Sequence, residues 1–358
     1  MARLLSSIHK PRFLLANMLS PSCVMVLIAF AILLPIQKTW AEDQTNLRRV
    51  TFATDWKAQA EQGGFYQAKA MGLYAAAGLD VEIRQGGPGV NIPQLLGANA
   101  IDFGMGSNSF IPLNIVQAGI PAKAVMAAFQ KDPQVLITHP RQDIQTLADI
   151  KGHPVMIADA TINAFWVWLR AEYGFDNRQI RKYTFNLAPF LVNEKAIQQG
   201  YVTSEPFAIQ QNSAIKPKVF LLSDYGYPSY ASMILARTNL IEQEPEVVQA
   251  FVSASIQGWH EYVYGDPSLG NALIKKDNPA MSDEAMVFAI NEMRARGMIK
   301  SNDSPSYGIG TMTVERWQRF FDTMAARDVY PKTLQWQNAF DLSFVNNASL
   351  LNDTNKRP

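Results

Sequence analysis

From Arg49 onward, short apolar runs of strand character alternate with helical ones, and glycine-bearing turns separate them. Strands spaced by helices of roughly a dozen residues pair in parallel through βαβ crossovers, so the pattern predicts an α/β chain with largely parallel sheets. Residues 50–53, 79–84 and 101–105 are predicted strands; 64–76 is a predicted helix stopped by Gly78, and 92–98 a second one. Residues 122–129 and 134–139 are predicted strands approaching a crossover. A short helical turn at 147–152, a strand at 154–157 and a helix at 163–173 ending on Gly174 then open a second βαβ set, which runs to 219–222. Residues 231–236 are a predicted strand returning to the first lobe, and 245–262 a helix with proline in its first turn. The expected architecture is two α/β lobes, each a mostly parallel sheet flanked by helices, with a ligand cleft at the strands' carboxyl ends. One lobe takes 42–136 and 224–345, the other 137–223, and 346–358 is a tail.

The first 41 residues are expected to be a signal peptide. Arg3, Lys10 and Arg12 make a basic start, 24–34 is an unbroken apolar run ending at Pro35, and Thr39 and Ala41 are small residues where a signal peptidase reads them. About eleven apolar residues at about 1.5 Å each fall short of the ~30 Å hydrocarbon core. Cleavage after Ala41 is therefore expected, with an uncleaved anchor, helped by Leu14-Leu15, as its rival. Cys23 is the single cysteine and lies in this segment, so the mature chain is expected to have no disulfide and no thiolate site. Pro21-Ser22 is a poor lipidation context, and the apolar run follows the cysteine instead of preceding it. Lysine and arginine (32) nearly balance aspartate and glutamate (31), which leaves no basic excess for phosphates and argues against nucleic acid. No second long apolar run follows, so the mature protein is expected to be soluble.

Several loops carry candidate chemistry. Residues 55–66 (DWKAQAEQGGFY) run off the first strand into the first helix. Trp56 there is either a stacking surface for a planar ligand or a core anchor. Gly63-Gly64 either lets backbone N–H groups approach that ligand or makes a tight turn. Residues 85–91 (QGGPGVN), with Gly87 and Asn91, can present N–H donors to a carbonyl, carboxylate or anion, but they match neither a phosphate-cradling loop nor a dinucleotide fingerprint. Residues 104–108 (GMGSN) add Ser107 and Asn108. In the second lobe Thr161 and Asn163 either cap a helix or donate to ligand. Glu205, in Ser204-Glu205-Pro206-Phe207, needs a donor, which a ligand N–H or a cross-cleft arginine would supply. Tyr225, Tyr227 and Tyr230 crowd the predicted crossover, as stacking walls or as hinge packing.

Signals of catalysis are scarce. His139, His153 and His260 have no metal-ligand spacing, no G-x-S-x-G elbow is present, and the carboxylates form no recognisable pair. No catalytic residue and no metal site is assigned.

The chain resembles the nitrate/sulfonate/taurine periplasmic binding proteins of ABC transporters, in the branch shared with thiamine-pyrimidine precursor binding proteins and synthases. The resemblance spans most of the mature chain. It rests on Asp55-Trp56 with Gly64-Phe65-Tyr66, Gly72-Leu73-Tyr74 through Gly78-Leu79-Asp80-Val81, and Ile101-Asp102-Phe103-Gly104. Further along it takes in Leu147-Ala148-Asp149-Ile150-Lys151-Gly152, Ser204-Glu205-Pro206-Phe207 and Pro245-Glu246-Val247-Val248 with Gly258-Trp259. It implies a type II periplasmic-binding-protein fold and ligand contacts at Trp56, Tyr66, Asn108 and Glu205. Gln62 stands where the thiamine branch carries histidine, and an amide can replace that imidazole as a hydrogen-bond partner but not as a proton shuttle. A mature chain without cysteine also lacks the synthases' iron-associated motif.

The resemblance implies a periplasmic solute-binding protein, without cofactor or enzymatic activity. It would be a monomer that hands a small molecule to an ABC permease and its ATPase and meets the membrane only through that permease. Trp56 and the tyrosines point to a planar heterocycle of the pyrimidine or vitamin-precursor kind. Aliphatic sulfonate, taurine or nitrate is the alternative ligand, and it would want arginines, of which the loops hold few beyond Arg84. A precursor-synthase enzyme using Lys57 is the alternative from another class, and a sensing subunit that signals to a membrane kinase would share the fold.

Overall fold

A computed structural model describes residues 47–300 and 308–345. The expected signal peptide with Cys23 and the expected tail lie outside the described residues. Ten strands follow in chain order: β1 (Arg48–Ala53), β2 (Leu79–Arg84), β3 (Phe103–Gly106), β4 (Ala122–Phe129), β5 (Gln134–Thr138), β6 (Val155–Ile157), β7 (Ile180–Lys182), β8 (Ile197–Tyr201), β9 (Lys218–Leu221) and β10 (Ala231–Arg237). They form two five-stranded sheets, ordered β2-β1-β3-β10-β4 and β7-β6-β8-β5-β9. In the first sheet only β10 opposes its neighbours, and in the second only β5 does. The opposed strand in each sheet is the one that directly follows a passage between sheets. The mostly parallel α/β lobes expected from the sequence are therefore present, each with a crossing strand threaded into its interior.

Local departures from the expected elements have physical causes. The helix expected over 64–76 is two helices, Gly63–Ala70 and Leu73–Ala76, because Gly72 at φ 71° takes the left-handed conformation between them. The third strand starts at Phe103 instead of Ile101. The Asp102 side chain takes up the Thr51 N–H at 2.9 Å and pairs with Arg237 at 2.5 Å, so a carboxylate stands in for the backbone acceptor there while the Asp102 N–H still donates to the Thr51 carbonyl at 3.0 Å.

Helix Gly63–Ala70 lies tightly against the long helix Pro245–Tyr264. A Cβ on Gly258 would stand 2.2 Å from the Gly64 carbonyl oxygen, and one on Gly64 would stand 2.2 Å from the Trp259 ring. The space beside Gly63 and Gly64 is thus filled by Tyr262 and Trp259, so these glycines permit helix packing and do not open a path to a ligand. Gly258→Ala is expected to destabilise the protein by about 1–3 kcal/mol through overpacking, read as a lower denaturation midpoint in urea with an unchanged slope.

Residues 130–133 and 222–230 carry the chain between the sheets. Helix Val314–Ala325 fastens both passages. Its Arg316, 6% exposed, donates to the carbonyls of Gln130 (2.5 Å), Ser229 (2.9 Å) and Pro228 (3.1 Å), and its guanidinium lies 4.0 Å from the Tyr230 ring centroid. Among the described residues, no helix is long and apolar enough to cross a membrane.

Candidate ligand-binding site

The loops at the carboxyl ends of the strands face one another between the two sheets. From the first lobe comes the loop after β1. It is held in shape by Thr54, whose hydroxyl donates to the Trp56 carbonyl at 2.7 Å, and by Gly86, whose N–H donates to that carbonyl at 3.0 Å. Gly86 has no alternative, since a Cβ there would sit 2.3 Å from the Thr54 carbonyl oxygen. The paired loops present Trp56, only partly buried, toward the second lobe.

Opposite Trp56 stands Phe185, from the segment after β7, with ring centroids 4.6 Å apart and planes tilted by 50°. Phe185 is 43% exposed and has φ 61°, an unfavourable backbone region for a bulky residue. Such strain costs on the order of 1–3 kcal/mol and collects at functional sites. Tyr183 lies behind it, ring centroids 5.2 Å apart.

Carboxylates lie close by, Asp55 next to Trp56 in the chain and Glu205 near enough to Tyr183 to act on its phenol. Asp55 holds one oxygen, Oδ1, enclosed without a hydrogen-bond partner, and its acidity is shifted up to about 7. Burial is the main cause and the charge of Glu61 adds to it, while the Ser107 hydroxyl and a backbone N–H oppose it. Glu61 accepts from the Thr203 hydroxyl of the other lobe. Glu205 accepts from the Tyr201 N–H at 2.6 Å and the Ser204 hydroxyl at 2.7 Å. Burial raises the pKa of both glutamates, and the charge of Glu205 raises Glu61 further. The Tyr201 phenol is held protonated, by burial first and then by Asp132, Asp55 and Glu61. Such a site offers acceptors and a phenolic donor beside flat apolar faces.

The residues expected from the sequence divide into two sets. Trp56, Ser107, Glu205 and Tyr227 stand around this region, with Gln62 beside Glu61; Gln62 accepts from the Gln59 N–H at 3.2 Å, and Tyr227 is buried against Trp168 with centroids 5.0 Å apart. Gly87 follows the Gly86 contact and has open space where a Cβ would go. Thr161 donates to Gln199 at 2.6 Å and to the Ala158 carbonyl at 2.8 Å, and Asn108 accepts from the Phe110 N–H at 3.1 Å. The rest face elsewhere. The Tyr66 hydroxyl donates to Asp277 at 3.0 Å, Asn91 caps helix Ile92–Gly97 through the Gln94 N–H, and Tyr225 is exposed, its carbonyl taken by Tyr173. Asn163 is exposed beside a groove shared with Asn114 and Arg170. Asp55, Glu61, Phe185 and Thr203 escaped the sequence reading as individual contacts. Asp55 and Glu61 lie inside the loop singled out there, whereas Phe185 and Thr203 have no local signal.

Two such lobes, joined by two crossing passages and meeting at their strand ends, define the two-lobed periplasmic-binding-protein class. Within it the chain belongs to the NMT1/THI5-like family, whose model matches residues 59–268. It is 23% identical over 322 residues to the riboflavin-binding protein RibY of Chloroflexus aurantiacus, covering 84% of this chain and 87% of that protein. It is equally 23% identical over 325 residues to a formylaminopyrimidine-binding protein of Halalkalibacterium halodurans, covering 88% and 97%. The crystal structure of the periplasmic aliphatic sulphonate binding protein SsuA from Escherichia coli superposes with a TM-score of 0.62 over 82% of this chain and 92% of that one, at 16% identity. At that identity the likeness is one of fold.

Proposed function

We propose that this protein is the extracytoplasmic solute-binding component of an ABC-type importer, and that its ligand is a planar nitrogen heterocycle of the pyrimidine or flavin kind. The two passages between the sheets serve as the hinge, with 42–136 and 224–345 closing against 137–223. The observation that carries the reading is the Trp56–Phe185 pair, one ring from each lobe, flanked by the carboxylates of Asp55, Glu61 and Glu205. The two rings now touch each other, so a flat ring stacks on them by taking the place of that mutual contact as the lobes part, and its N–H edges find acceptors in the carboxylates. A sulfonate or nitrate would instead be set beside like charges in a desolvated slot. The two curated relatives, named for riboflavin and formylaminopyrimidine, agree with that preference. Trp56, Phe185, Ser107 and Glu205 are the contacts proposed first, and the protein binds without transforming its ligand.

The test is a thermal-shift panel of riboflavin, formylaminopyrimidine, taurine, ethanesulfonate and nitrate. A ligand at a hundred times its Kd adds ~2.7 kcal/mol, a rise of several degrees. A shift with a heterocycle alone is expected. A shift with taurine, ethanesulfonate or nitrate and none with either heterocycle would overturn the assignment of the slot.

A further inference from the structure

Glu61 belongs to the first lobe, in the short 3-10 turn Ala60–Gln62, and it is only 2% exposed. Its enclosure comes partly from the other lobe, because the hydroxyl that it accepts is that of Thr203, itself buried, between β8 and helix Glu205–Asn212. The bond joins residues 142 apart in sequence and bridges the cleft beside the aromatic pair. On that same side, Phe207 of the second lobe meets Phe288 of helix Asp283–Ala295, ring centroids 5.3 Å apart.

The charges around Glu61 are of one sign. Glu205 acts on it from the opposite lobe and Asp55 from its own loop, and the phenols of Tyr201 and Tyr262 lie in its field. The charged side chains of the neighbouring helices are engaged elsewhere or face solvent. Asp283 pairs with Lys275, Glu292 with Arg296, and Arg294 donates to the Val263 carbonyl, while Lys69 and Glu284 are exposed. Helix Glu205–Asn212 carries no second charge. Shutting the cleft therefore presses two carboxylates from opposite lobes into one desolvated space with no cation between them.

We propose that Glu61 and Thr203 form a latch between the lobes and that the latch is proton-linked, so that closing the cleft takes up a proton and acidification drives the lobes together. The inference rests on reading the two passages as a hinge; the identity of the ligand does not enter it. With the lobes apart, Glu61 is hydrated and titrates as an ordinary carboxylate. With them shut, burial favours its protonated form and the charge of Glu205 adds to it, while the hydrogen bonds from Thr203, Gln59 and a backbone N–H oppose them without reversing the direction. The shut form thus binds the proton more tightly. Its advantage is complete below the ordinary carboxylate value and is lost as pH rises through the raised value. Between the two, the ratio of shut to open molecules changes by up to about tenfold per pH unit. Protonated or not, the carboxyl accepts the Thr203 hydroxyl through Oε1, so the latch persists while the repulsion goes.

The experiment is small-angle X-ray scattering of the purified protein without added ligand, from pH 5 to pH 8.5, with thermal melts to confirm that each variant is folded. The wild type is expected to be compact at the acid end and to expand as pH rises. Glu61→Gln, neutral at every pH and still an acceptor, is expected to stay compact throughout. Thr203→Val is expected to lose the compaction at low pH, and Thr203→Ser, which keeps the hydroxyl, to restore it. A wild type whose dimensions do not change with pH overturns the proposal, as does a Glu61→Gln that expands as the wild type does. Should Glu61→Gln fail to fold, a Thr203→Val protein that follows the wild-type profile overturns it as well. Scattering reads the lobes directly, so a ligand panel with no response leaves this result standing, and the converse also holds.

Discussion

Arg316→Met is expected to lower the unfolding free energy by about 3–5 kcal/mol, the range for removing one partner of a buried charged network. The methionine keeps much of the bulk but leaves the carbonyls of Gln130, Pro228 and Ser229 without the donors that now hold them. Buried acceptors left unpaired each cost on the order of 1–3 kcal/mol. The loss should grow with pH. Asp132 sits in the same passage with its acidity shifted up to about 7 by burial, and the nearby charge of Arg316 pulls that value down. A carboxyl raised in the folded state contributes stability that is complete at low pH and is lost as pH rises through its folded value. Without the guanidinium that folded value moves higher, and the charged form at pH 8 is the more costly one. Urea titrations at pH 5.5 and pH 8 check both statements. Arg316→Lys should recover only part of the loss, since an ammonium cannot reproduce the planar fork. A methionine variant as stable as the wild type at both pH values would mean that the passages do not depend on this side chain.

Trp56→Ala is expected to weaken binding of the proposed heterocycle by roughly 5- to 150-fold, because stacking a base on an aromatic side chain is worth about 1–3 kcal/mol. Phe185→Ala should do the same with one difference. Alanine keeps the left-handed backbone demand of φ 61° but loses the ring, so Phe185→Gly separates relief of strain from loss of stacking. If both rings grip one ligand, the double variant should depart from additivity in an isothermal titration, since residues that share a partner couple. Additive losses would place the ligand against one ring only. Undiminished affinity in Trp56→Ala would move the site out of the slot.

Much of the fold can be read from the residue pattern, for local reasons. β2 alternates over Leu79–Arg84 and is bounded by Gly78 and the 85–91 turn, so both ends are marked by residues whose conformational freedom is needed there. β4 and β10 are long and apolar because both faces are covered, and such runs show in the sequence without any partner in view. The loops that carry Trp56, Ser107 and Glu205 follow once the strand ends are placed. Thr203 and Phe185 are different. Thr203 gains its role from Glu61, and Phe185 from Trp56, each on the other lobe. No periodicity encodes a contact made where two surfaces distant in sequence meet. The break at Gly72 and the draw of Asp102 toward Arg237 likewise depend on one residue's backbone and one distant charge.

The position of the opposed strand in each sheet bears on the order in which the chain can assemble. β4 pairs within its sheet only with β10, and β10 lies beyond everything that forms the second sheet. A nascent chain that has reached Phe129 therefore holds a strand that is apolar but for Lys123 and has no partner strand in its sheet, and it must complete the other lobe before the first sheet can close. Such long-range pairing slows folding. A truncated chain ending before Ala231 is expected to expose β4 as a sticky edge, so the two lobes form a single folding unit.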